Sequence, residues 1–171
     1  PLIDRTTLRT EILRECDIVR HLATKLPAGT DGWRPTEGQR SVLELLRYIS
    51  FCGLGGARAM AEGGWDGYSE CEAAAADLTR EGFDAAMARQ KAGLAALIDG
   101  LTDAQYAEQP CTLPWGEQVP LWRGLFEVPY RWLAGYRMQL FLYAKGAGNA
   151  GISTANLWVG IDWKRQEPAA G

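Results

Sequence analysis

Histidine is nearly absent from this chain: one residue, His21, among 171. A single imidazole cannot supply a histidine-rich metal site within one copy of the protein. The four cysteines, Cys16, Cys52, Cys71 and Cys111, contain no C-x-x-C pair. A chain of this length buries a core without staples, so free thiols in a reducing cytosol are expected. No apolar run approaches the roughly 20 residues that span a bilayer. No long basic tract occurs, and the net charge is −3 from 18 basic and 21 acidic residues. Membrane and nucleic-acid partners are therefore not expected. Rossmann, nucleophile-elbow and phosphate-loop patterns are missing too. The stretch CGLGGARAM has glycines, but it follows a helical stripe and lacks a Lys-Ser/Thr ending. The Glu70/Glu72 and Asp99/Asp103 pairs have no E-x-x-H companion, so solvated acids rather than a di-iron bundle are expected.

What is present is an ordinary globular mixture, 47% hydrophobic and 23% charged. Helical periodicity dominates. The N-terminal PLIDRTTLRTEILREC has no apolar signal core. It opens an amphipathic helix from about Arg5 to Leu26, carried by Leu8, Ile12, Cys16 (or Glu15), Val19, Leu22 and Leu26 and capped by Asp4. Ser41 and Glu44 form a capping-box pattern ahead of Val42, Leu45, Leu46, Ile49 and Cys52. Gly53, Gly55 and Gly56 then predict either close helix contact or an early break. A long connection follows, with a short helix at its end. A third stripe, Phe83, Met87, Gln90, Leu94, Leu97, Ile98 and Leu101, spans about Gly82 to Leu101. CTLPWGEQVP reads as a turn or short hairpin around Trp115-Gly116. A fourth helix is expected from about Leu121 to Lys145, bent at Pro129. The tail has no helical stripe. Leu157, Trp158, Val159, Ile161 and Trp163 are expected to fold back over the bundle, with the last few residues frayed. No repeat or second domain is visible, so residues 1–171 read as one all-α domain, a four-helix bundle.

RSVLELLRYI and WLAGYRMQL, with the W-x-P loop at Trp33–Pro35, resemble the DinB-like superfamily over most of the chain. The resemblance implies up-down-down-up topology and, in many members, a divalent metal on three histidines. One of those positions falls on Tyr48. The other two lie four apart, and the family ending H-R-x-Q-L matches YRMQL, which places them at Trp132 and Tyr136. All three are aromatic here. Indole is no useful ligand, and a neutral phenol has a pKa near 10. No metal or other cofactor is expected.

The expected ligand-binding set is Tyr48, Cys52, Trp132, Tyr136 and Arg137. The three rings either line an aromatic pocket for a flat or cationic ligand, or fill a vacated metal cavity. Cys52 is a nucleophile only if its thiol is activated, and otherwise core. Arg137 either holds an anionic substrate or pairs with an acid across the bundle, with Glu44 and Glu127 as candidates. His21 is expected at a helix end or on the surface. Two functions remain open. One is a non-catalytic or small-molecule-binding bundle. The other is a metal-independent, thiol-dependent S-transferase or isomerase of the kind the resemblance implies. Seven tryptophans, several near loops, make a homodimer an expected partner for either.

Overall fold

A computed structural model describes residues 1–163. Four long helical stretches form the bundle: α1 (Arg5–Ala23), α2 (Val42–Glu62), α4 (Phe83–Asp99) and a composite last helix. That last helix runs through α6 (Leu121–Leu125), a π-helical turn (Phe126–Tyr130) and α7 (Arg131–Gly146). Between them lie α3 (Asp66–Ala75), α5 (Asp103–Glu108) and a hairpin of β1 (Pro110–Thr112) and β2 (Gln118–Pro120). The short α8 (Thr154–Trp158) closes the described chain. No helix among the described residues is long and apolar enough to cross a membrane.

The caps form as their chemistry dictates. The Asp4 side chain accepts from the Thr7 amide at 2.9 Å. At α2 the box closes both ways: Ser41 N–H donates to the Glu44 carboxylate at 2.6 Å, and Glu44 N–H donates to Ser41 Oγ at 3.2 Å. The topology is up-down-down-up, and α3 explains the two consecutive down helices. It runs back along α2: Tyr68 sits edge-on to Phe51, and beyond its end Leu78 offers its carbonyl to Arg47 Nε at 2.8 Å. The chain has returned to the start of α2, so α4 runs parallel to it.

The three glycines of α2 mark contact, not a break. A Cβ on Gly56 would lie 2.7 Å from Val128 Cγ1, and one on Gly53 would lie 2.9 Å from Leu133 Cδ1. The last helix can approach α2 this closely only where side chains are missing. Gln90, in the midst of the α4 apolar stripe, is buried against the same stretch. Its Nε2 donates to the Ile49 carbonyl at 2.9 Å, and its Oε1 accepts from the Gly53 and Leu54 amides at 2.9 and 3.0 Å. One buried amide thus stitches α4 to the backbone of α2.

Several elements depart from expectation. α1 stops at Ala23, three residues short of Leu26, although Leu26 is still buried. α5 was not legible as a helix, yet it carries its own capping box from Thr102 and Gln105. Pro129 produces a wide π-helical turn rather than a simple bend, since it offers no N–H to the regular ladder. The tail is partly helical. Only Leu157 of the five expected covering residues is buried; Trp158 and Trp163 are 54% and 70% exposed. Fraying of the last few residues lies outside the described part. Asp99 and Asp103 pair with Arg9 and Arg5, and Glu70 with Arg58.

Buried Asn156 anchors the tail. Its Oδ1 accepts from Ser153 N–H at 2.7 Å, which fixes the amide so that Nδ2 faces His21 Nε2 at 2.9 Å and Asp162 at 2.8 Å. The same Nδ2 also reaches the Ile161 carbonyl at 3.0 Å, so its two hydrogens face three neighbours, His21 Nε2 among them. Burial, then the Lys25 charge, holds the His21 pKa below its ordinary 6.5. The unfolded chain takes up the imidazole proton at higher pH than the folded one. Stability is thus full above about pH 6.5 and falls as pH drops through the depressed folded value. Thermal unfolding between about pH 7.5 and 5.5 should show this step, and His21→Gln should flatten it. An unchanged slope in that variant would assign the step to other groups.

Candidate aromatic site

Tyr48 projects from α2, and Trp132 and Tyr136 project from α7 one turn apart. The rings of Tyr48 and Tyr136 meet at 4.7 Å between centroids, tilted by 59°. Trp132 joins through Tyr68 of α3, edge-on at 6.3 Å. Tyr48 and Phe51 are 5.3 Å apart, as are Phe51 and Tyr68. The three expected residues therefore belong to one aromatic cluster joining α2, α3 and α7. All three are half-buried, while Leu133 and Arg137 take the fully inward face of α7.

Sequence reasoning did not single out Phe51, Tyr68 or Arg40. Arg40 precedes α2, and its guanidinium lies 4.2 Å over the Tyr48 ring and 6.0 Å from that of Tyr136. Its backbone is fixed from α7: Gln139 donates to the Tyr143 hydroxyl at 3.1 Å, which donates to the Arg40 carbonyl at 2.9 Å. Trp33 braces Tyr143 edge-on at 5.4 Å. The W-x-P loop thus carries Arg40 onto the aromatic cluster. The cation on the Tyr48 ring is supplied by the protein itself. Beside these rings an open groove of about 510 Å³ is lined by Arg40, Arg47, Tyr48, Phe51, Tyr68 and Glu72, among others.

Cys52 and Arg137 do not reach this groove. Cys52 is completely buried, and burial pushes its thiol far above the usual range. Burial also pushes Cys16 up, to about 12. Arg137 turns toward α1, where its Nη1 bonds Glu15 at 2.9 Å in a buried pair. Its partner is therefore neither Glu44 nor Glu127. Glu44 serves the helix cap and Arg34, and Glu127 pairs with Arg123 and Arg131. Trp158 covers the Arg137 guanidinium at 5.0 Å. His21 lies in the last turn of α1, in the tail anchor.

No family model matches the sequence, and no curated protein matches it. The fold itself has a solved counterpart. A DinB-like protein, YjoA, from Bacillus subtilis superposes with a TM-score of 0.64 at 18% identity, covering 82% of this chain and 91% of that one. The fold is DinB-like. At the positions where the family resemblance implies imidazoles, this DinB-like bundle has two phenols and an indole. Burial, then Cys52 and the neighbouring tyrosine hydroxyls, pushes the Tyr48 phenol well above its ordinary range. A phenolate ligand at Tyr48 is thus disfavoured at neutral pH. Among the described residues no group of three or more His, Cys, Asp or Glu side chains is gathered to hold an ion. The residues present do not fit the metal that the resemblance implies.

Proposed function

We propose that this DinB-like bundle is a small-molecule-binding protein whose aromatic cluster stands in place of a metal centre. The groove floored by Tyr48, Phe51 and Tyr68 supports this reading. Rings that merely filled a vacated cavity would close it, whereas these border open space. A metal-independent S-transferase or isomerase would have to draw its thiol from half-buried Cys71 or from a bound cofactor, because Cys16, Cys52 and Cys111 are buried with raised pKa values. The exposed Trp65, Trp115, Trp158 and Trp163 support the homodimer proposal, and light scattering across concentrations tests it.

Metal content tests the replacement. Dialysed protein should carry well below about 0.1 zinc, nickel or iron per chain, because neutral imidazoles are what hold such ions in a bundle of this kind. About one ion per chain, lost on Tyr48→Phe or Tyr136→Phe, would sink the reading. The triple variant Tyr48→His, Trp132→His, Tyr136→His should gain about one ion per chain if the backbone geometry suits three imidazoles.

A further inference from the structure

Most arginines among the described residues are neutralised by a carboxylate: Arg5, Arg9, Arg14, Arg20, Arg34, Arg58, Arg80, Arg123, Arg131 and Arg137 all form salt bridges. Arg40, Arg47 and Arg89 do not, and the first two line the aromatic groove. Nor is either one loose. Arg47 is anchored through Nε to the Leu78 carbonyl at 2.8 Å, which leaves its terminal nitrogens to spare. Arg40 is stacked on Tyr48, with its backbone held by Tyr143. Of the two acids lining the groove, Glu44 is already engaged by the Ser41 amide and, at 3.3 Å, by Arg34.

We propose, resting on the ligand-binding reading above, that the groove takes a small aromatic carboxylate. The carboxylate would sit on the Arg40 and Arg47 guanidiniums, with the ring against Phe51 and Tyr68, the groove rings that Arg40 does not cover. Guanidinium forks match a planar carboxylate, and pre-positioned ones lose little freedom on binding it. Glu72, on the α3 side of the same groove, disfavours a second negative charge there. The ligand therefore carries its charge at one end. An aromatic cation is disfavoured as well, because Arg40 already occupies the ring it would seek.

The test is an amide NMR titration of the full chain with benzoate and with benzyl alcohol, its uncharged counterpart. Benzoate should shift resonances around Tyr48, Phe51 and Tyr68 and bind about tenfold or more tightly than benzyl alcohol. Arg40→Gln and Arg47→Gln should each weaken benzoate by about tenfold and leave benzyl alcohol unchanged. Arg14→Gln, a surface change, should leave both unchanged. If Arg47→Gln unfolds the chain by releasing Leu78, Arg40→Gln and the wild-type pair of probes still decide. Equal binding of the two probes would overturn the carboxylate class and leave the binding site standing. No shift at these rings from either probe would overturn both.

Discussion

Glu15→Ala should destabilise the protein by roughly 3–5 kcal/mol, the usual loss when one partner of a buried ion pair is removed. Glu15 and Arg137 have side chains only 5% and 9% exposed, and they share a single 2.9 Å bond. Glu15 Oε2 and Arg137 Nε have no partner among the described residues. Burial raises the Glu15 pKa even though Arg137 opposes that shift, so desolvation outweighs attraction. Deleting the carboxylate would strand a guanidinium that Trp158 and the core keep from water. The melting temperature should fall by on the order of 10 °C for a chain of this size. The double variant Glu15→Leu, Arg137→Met removes both charges and should recover most of the loss. Melting curves of the two variants check this. A double variant as unstable as the single one would show that the pair itself, rather than its desolvation, holds α1 to α7.

Gln90→Ala is the second large effect, at about 3 kcal/mol from a cavity plus lost hydrogen bonds. The substitution empties a space next to Gly53 and removes the partner of Ile49, Gly53 and Leu54 backbone groups. Gln90→Leu refills the volume without the polar contacts and should lose about half as much. Denaturant midpoints at constant m-value would measure both. Equal losses would mean that the cavity contributes little and the hydrogen bonds carry the effect, whereas no loss in Gln90→Leu would mean that the hydrogen bonds contribute little.

These two residues also show what the sequence could and could not reveal. The helices were legible because their buried faces repeat with helical period and their starts carry side-chain caps, as at Asp4 and Ser41/Glu44. Hence the four-helix bundle could be anticipated, while the DinB-like fold and the meeting of Tyr48 with Tyr136 rested on the resemblance carried by RSVLELLRYI and WLAGYRMQL. Gln90 was legible as a buried position, but its target was not. A side chain that bonds another helix's backbone leaves no pattern in sequence. Glu15 competed with Cys16 for the buried face of α1, and in fact both are buried. Its long-range partner, Arg137, could not be read from local spacing, so nearer or more familiar acids were favoured. Arg40 was missed because it lies before the helix, in a loop whose course depends on Trp33 and Tyr143. α5 was short enough for its capping box to be overlooked.

The π-helical turn at Phe126–Tyr130 has a further consequence. Buried positions before it include Leu121 and Leu125. Continued from Leu125 at about 3.6 residues per turn, a regular helix would next send Trp132 and Tyr136 inward. The buried residues are instead Leu133 and Arg137. The wide turn acts as a one-residue insertion, and one residue is roughly 100° of helical phase. It rolls the ring pair sideways toward α2 and α3 and swings a charged residue into the interior. Deleting a single residue from this turn would reverse that rotation, exchanging the half-open aromatic wall for a closed one and expelling Arg137 from its pair with Glu15.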